Sequence, residues 1–208
     1  MDFKAAKRVL EHMSSCVGQG ITYHHDGKVL NDVYPHRNKL IAASDADFSH
    51  KGEKSVSGAV IMMNGGAIFH SSRRQSSVSM TSTEAEVKAA GLLVANLEYV
   101  IQLWSEIAGI KHGMVRCVMD NQTAARQVSS GTDSPAAAPY LRHCRMVEEK
   151  VYSNLIWWDF VHGEKNIADI LTKQVRAPSE FKIKDGAISG SLPKIFGSEK
   201  VKKFTMRS

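Results

Sequence analysis

Ala6, Val9, Leu10 and Met13 recur at helical spacing and predict an amphipathic helix over residues 3–13. Gly18 and Gly20 break it, residues 20–24 read as a short strand, and His25-Asp26-Gly27 signals a turn. The spacing then changes to that of strands. Residues 39–46 form an apolar run that ends in polar residues, and residues 55–63 alternate and are β-branched. Asn64-Gly65-Gly66 turns the second run back into a third over residues 67–72, a hairpin signal. Thr81-Ser82-Thr83-Glu84 is an N-cap cluster, and helical sequence follows to about residue 108, in one piece or two, until Gly109 stops it. Residues 115–119 predict a short buried strand, 121–129 a short helix, 130–139 a loop and 140–152 a further helix. An aromatic strand over 154–161 and a short helix over 166–173 complete the pattern. Three meandering strands followed by two with helical crossovers predict an α/β fold on a five-stranded mixed sheet.

Composition narrows the class. The 208 residues are 43% hydrophobic and 23% charged, which excludes wholesale disorder, a collagen-like fibre and a disulfide scaffold. No apolar run approaches the roughly 20 residues of a membrane helix. The amphipathic start does not read as a secretory signal. Cys16, Cys117 and Cys144 are scattered and odd in number, and read as reduced thiols of an intracellular protein, cytoplasmic or nuclear. Residues 176–208 hold eight Lys or Arg against three Asp or Glu, so this segment carries +5 of the net +6. We expect a helix and hairpin segment over residues 1–38, a main α/β domain over 39–175 and a basic, flexible tail over 176–208. Such a tail suits a polyanion, or is simply solvated.

The informative acids sit where strands end or helices begin. Asp45 ends the first long strand, Glu84 and Glu86 lie in the first turns of the long helix, Asp120 ends the fourth strand and Asp169 lies in the last short helix. Adjacent strand ends bring Asp45 and Asp120 into reach of each other, and the helices can add Glu86 and Asp169. Crowded carboxylates repel unless cations neutralise them, and their hard oxygens select Mg²⁺ or Mn²⁺. Taken singly, each acid also fits a solvated surface or a helix N-terminal charge.

The motifs at these acids resemble the ribonuclease H domain of copia-type LTR retrotransposon Pol polyproteins. They are Ser44-Asp45-Ala46-Asp47-Phe48, Lys54-Ser55-Val56-Ser57-Gly58, Met63-Asn64-Gly65-Gly66-Ala67-Ile68, Ser82-Thr83-Glu84-Ala85-Glu86, Asp120-Asn121-Gln122-Thr123-Ala124 and Ala168-Asp169-Ile170-Leu171-Thr172-Lys173. Lys4-Ala5-Ala6-Lys7-Arg8-Val9-Leu10 resembles the connecting helix just upstream in that polyprotein. The resemblance covers residues 3–175. It implies a ribonuclease H-like fold, hydrolysis of the RNA strand of RNA–DNA hybrids, two Mg²⁺ ions that Mn²⁺ can replace, and a reverse transcriptase domain as neighbour.

It also implies four metal-binding acids, with Asp45, Asp120 and Asp169 matching the first, third and fourth. The second is Glu84 or Glu86. Glu86 is preferred, because Ala85-Glu86-Val87 followed by Ala89 resembles the superfamily's pattern. His162 takes an assisting role in proton transfer or product release, or is a surface histidine. His143 matches a common histidine of the family, or is simply packed. Ser72, Arg73, Arg74 and Gln75, leaving the third strand, are the expected contacts to phosphate and sugar, with Asn121 and Gln122 beside Asp120. Trp157, Trp158 and Phe160 read as sheet packing. The chain departs from the family at Phe48-Ser49-His50-Lys51, at Ala59 and Val87, and in the alanine-rich stretch 134–139. The readings from other classes are an inactive nucleic-acid-binding relic and a structural connection module of a lost reverse transcriptase.

Overall fold

The computed structural model describes residues 3–15, 17–23, 39–109, 111–132, 134–173, 186, 188 and 189. The expected turn at His25-Asp26-Gly27 and nearly all of the expected basic tail lie outside the described residues. Helix α1 (Phe3–Ser15) opens the chain. Residues 20–23 are not a strand. They run as irregular backbone against the start of the third strand, where the Tyr23 hydroxyl donates to Ala67 O at 2.8 Å.

Strands β1 (Leu40–Asp47), β2 (Val56–Met63) and β3 (Gly66–Arg74) form the antiparallel meander. Asn64 and Gly65 take positive φ of 52° and 85°, as a two-residue hairpin with right-handed twist requires. Helix α2 (Ser82–Ala108) is one continuous piece of 27 residues. Strand β4 (Val115–Met119), helix α3 (Gln122–Ser130), helix α4 (Leu141–Tyr152) and strand β5 (Ile156–Phe160) follow. The sheet order is β3-β2-β1-β4-β5, with β1–β4 and β4–β5 parallel. The expected loop at 130–139 contains a 3-10 turn, Pro135–Tyr140. The expected final helix is likewise 3-10, Ile167–Leu171, because it is a tight cap over the sheet rather than a free-standing helix.

Alternation in the strands divides the core into two faces. Leu40, Ala42, Ala59, Ile61, Val115, Cys117 and Met119 face α2, which answers with Val87, Ala90, Val94, Leu97 and Ile101 at helical spacing. Ile41, Ala43, Val60, Met62 and Val118 face the other way and are covered by Ile167 and Ala168. Trp158 is buried on the α2 face, and Arg116 lies 5.6 Å from the centroid of Trp157, so the aromatic strand packs the sheet. Among the described residues, no helix is long and apolar enough to cross a membrane.

Candidate metal centre

The parallel register pairs Ala43 with Val118, so Asp45 and Asp120 each follow two residues later on adjacent strand ends. Period-two alternation then points both side chains to the same face. Glu86 arrives from α2. Ala85 and Ala89 pack on Ala46 without bulk, which lets the first turns of the helix approach the end of β1 closely. One carboxylate oxygen each from Asp45, Glu86 and Asp120 lie within 4.8 Å of one another.

Two of these acids, Glu86 and Asp45, are held where their charge is costly. Burial pushes the Glu86 carboxyl up to about 9, and repulsion from Asp45 and Asp120 adds to the shift, against a hydrogen bond from the Ala46 backbone. Burial also raises Asp45, to about 6, although the Thr172 hydrogen bond and the Lys173 charge pull it down. Glu86 Oε2 is buried with no hydrogen-bond partner among the described residues. An orphaned carboxylate oxygen beside two further carboxylates is a donor set for a hard divalent cation. The residues present therefore fit the metal that the sequence implied.

Asp169 joins this site from the 3-10 turn 167–171, at 9% exposure, but outside the three-carboxylate cluster. The Lys173 ammonium bonds Asp169 and stands 3.6 Å from Asp45 Oδ1. Thr172 Oγ1 donates to Asp45 Oδ2, and Asn166 Nδ2 donates to Ser44 O at 2.9 Å and to Asp45 Oδ1 at 3.5 Å. Sequence reasoning assigned no role to Asn166, Thr172 or Lys173. The signal for them is that polar residues flank the acid in an otherwise apolar segment.

Glu84 points elsewhere. Its backbone N–H donates to Thr81 Oγ1 at 3.0 Å, and its Oε2 accepts from Met80 N at 2.8 Å, a reciprocal cap on α2. Its Oε1 pairs with the half-buried Lys88 ammonium at 2.8 Å. Glu84→Ala is therefore expected to cost at least about 1 kcal/mol of stability in urea denaturation, with Mn²⁺ affinity unchanged. A loss of Mn²⁺ binding would make Glu84 a ligand.

The expected substrate contacts divide. Arg73 and Arg74 are exposed at the end of β3, and Gln122 is exposed at the first turn of α3. Asn121 Oδ1 caps α3 by accepting from Ala124 N at 2.9 Å. Ser72 Oγ donates to Leu171 O at 2.5 Å and so ties β3 to the 3-10 turn. Gln75 is a correction. It is buried at 7% exposure, with Nε2 donating to Ser57 Oγ and Ala85 O, both at 2.9 Å, and Oε1 accepting from Ser79 Oγ at 2.7 Å. Its amide is spent joining β2 to α2, so it does not face a ligand.

His162 is exposed and stacks edge-on against Phe160 at 5.3 Å. The adjoining Gly163 lies so close that a Cβ there would meet Asp120 Oδ2 at 3.0 Å, so the His162 loop abuts the site. His143 is half-buried beside Gly91, and its pKa is pushed down by burial and by Lys88.

The sheet order and the acids at the ends of β1 and β4 define a ribonuclease H-like α/β domain. The chain is also similar to Gag-Pol polyproteins of yeast Ty1 transposons. It is 29% identical over 141 residues to the transposon Ty1-JR1 Gag-Pol polyprotein of Saccharomyces cerevisiae, covering 65% of this chain and 8% of that protein. The truncated transposon Ty1-A Gag-Pol polyprotein of the same organism matches at 29% identity, over 65% of this chain and 12% of its own length. The chain thus spans about a tenth of the length of the curated relatives it matches. No family model matches. Similar solved structures include LC11 ribonuclease H1, isolated from compost by a metagenomic approach (21% identity, 65% of this chain, 93% of that one, TM-score 0.49). Another is ribonuclease H1 of Halobacterium salinarum (21% identity, 64% of this chain, 94% of that one, TM-score 0.47). The LC11 protein has also been solved with an RNA/DNA hybrid (20% identity, 64% of this chain, 94% of that one, TM-score 0.49).

Proposed function

We propose that this chain is a metal-dependent endoribonuclease that hydrolyses the RNA strand of RNA–DNA hybrids. The observation that carries the reading is the convergence of buried Asp45 and Glu86 with half-buried Asp120, with Glu86 Oε2 left without a partner among the described residues. The relation to Gag-Pol polyproteins supports the nucleic-acid substrate. Mg²⁺ is the proposed metal. When bound, divalent ions supply a water of lowered pKa and positive charge at the departing 3′ oxygen.

The chain's own residues hold and orient. Asp45, Glu86 and Asp120 are the proposed ligands of the first ion, and Asp169 completes a second position. Arg73 and Arg74 pair with phosphates of the hybrid, while Gln122 reaches the backbone beside Asp120. His162, on the loop that abuts Asp120, passes a proton to the leaving oxygen or helps release product. Recognition follows the shape of the hybrid and its 2′-hydroxyls rather than base sequence. In a polyprotein the neighbour is a reverse transcriptase domain, and residues 39–175 form the nuclease unit.

The test is cleavage of an end-labelled RNA–DNA hybrid by the full chain with Mg²⁺, using EDTA and Asp120→Asn as controls. Cleavage is expected with Mg²⁺ and is lost in both controls. Folded protein that retains hybrid without cutting it, in Mg²⁺ or Mn²⁺, would make it a binding relic instead. Neither binding nor cleavage would leave a structural module.

A further inference from the structure

The acidic site is not uniform in charge. Its Asp45–Glu86–Asp120 side brings three carboxylate oxygens within 4.8 Å of one another. Its Asp45–Asp169 side already carries a cation, because the Lys173 ammonium bonds Asp169 and stands 3.6 Å from Asp45 Oδ1. The backbone aims that cation. Thr172 N and Lys173 N both donate to Asp169 O, at 3.2 and 3.1 Å, so the chain winds back and sets Lys173 four residues after the acid it pairs with. The Lys173 side chain keeps 42% of its surface exposed, while Asp45 is fully buried. The ammonium therefore closes the site from the solvent side.

An ammonium held this way is a tethered competitor. An incoming divalent ion must either displace a group whose local concentration is fixed by the chain or sit beside a like charge. We propose that Lys173 is a built-in counter-ion for the Asp45–Asp169 half of the site. This chain then takes one divalent ion readily, at Asp45, Glu86 and Asp120, and a second only against Lys173. The inference rests on the metal reading above. It makes Lys173 a positioning residue, which holds Asp45 and Asp169 together before the second ion arrives and sets how much metal the second position needs.

The experiment is calorimetric titration of the full chain with Mn²⁺ alone, in the wild type, Lys173→Met and Lys173→Arg. The wild type should bind a first Mn²⁺ at least tenfold more tightly than a second. Lys173→Met should tighten the second ion at least tenfold and the first by a smaller factor, because the ammonium also faces Asp45, and Lys173→Arg should behave like the wild type. Thermal melts without metal supply an independent readout: Lys173→Met should melt lower than Lys173→Arg, and Mn²⁺ should restore it. A normal first ion with an unchanged second ion in Lys173→Met would overturn the inference alone. Absence of the first ion from all three folded proteins would overturn the metal reading and this inference with it.

Discussion

Glu86→Gln is expected to abolish hybrid cleavage and, in the same protein, to raise the stability of the metal-free fold at pH 8. The two effects have opposite signs because one carboxylate is both the ligand and the cost. Burial, with repulsion from Asp45 and Asp120, lifts the Glu86 carboxyl from 4.5 to about 9. A group raised in the folded state contributes stability that is complete below its unfolded pKa and is lost as pH climbs through the folded value. The metal-free protein should therefore weaken from about pH 4.5 towards pH 9, with Asp45 adding its share between 3.8 and about 6. By pH 8 the stability lost through Glu86 is on the order of 2 kcal/mol or more. Glu86→Gln keeps the shape and removes the ionisation, so its melting temperature should exceed the wild type's by roughly 4–8 °C in EDTA at pH 8. The difference should vanish near pH 4. Mg²⁺ at a hundred times its dissociation constant should stabilise the wild type at pH 8 by about 2.7 kcal/mol and Glu86→Gln by far less. Melts across pH 4–9, with and without Mg²⁺, separate these outcomes. A variant no more stable than wild type in EDTA would show that Glu86 is solvated, and the buried site would lose its main support.

That site was legible in the sequence as far as local rules reach. Alternation and the Asn64-Gly65 turn specify the meander, and the capped start and Gly109 stop specify α2. The convergence of Asp45 and Asp120 follows from reading both as strand ends, because the parallel register then brings them level. Separating Glu84 from Glu86 is harder. Both are buried acids in the first turns of one helix, and only the reciprocal cap to Met80 and the pair with Lys88 show that Glu84 is spent on the helix itself. Gln75 and Ser72 were read from their place beside two arginines at a strand end. Their destinations depend on how close α2 and the 3-10 turn 167–171 come to the sheet, and no local spacing records that. The same holds for Lys173. Its tie to Asp169 is local, four residues apart, but its approach to Asp45 spans the whole domain.

The approach of the 3-10 turn to the sheet depends on Gly58, and Gly58→Ala is expected to dismantle one half of the site. Gly58 pairs with Asp45 on β1 and with Ser72 on β3, so it sits beside the first acid in the middle of the meander. A Cβ there would lie 2.8 Å from Thr172 Cγ2, 2.9 Å from Ala168 O and 3.0 Å from Leu171 Cβ. Two of these are a backbone oxygen and a Cβ, which cannot swing away as a long side chain can. The turn carrying Ala168, Asp169 and Thr172 must therefore lift, and with it go the Thr172 and Asn166 bonds to Asp45 and the Ser72 bond to Leu171. Overpacking of this kind costs about 1–3 kcal/mol, a fall of several degrees in melting temperature for a chain this size. Cleavage should drop at least tenfold, because Asp169 leaves its position. The first Mn²⁺ should still bind within a fewfold of wild type, since Asp45, Glu86 and Asp120 ride on β1, α2 and the end of β4. Gly113→Ala, where a Cβ would meet nothing within 4 Å, is the control and should change neither property. If Gly58→Ala melts and cleaves like wild type, the turn does not seat on Gly58, and contacts other than this close approach hold Asp169 in place.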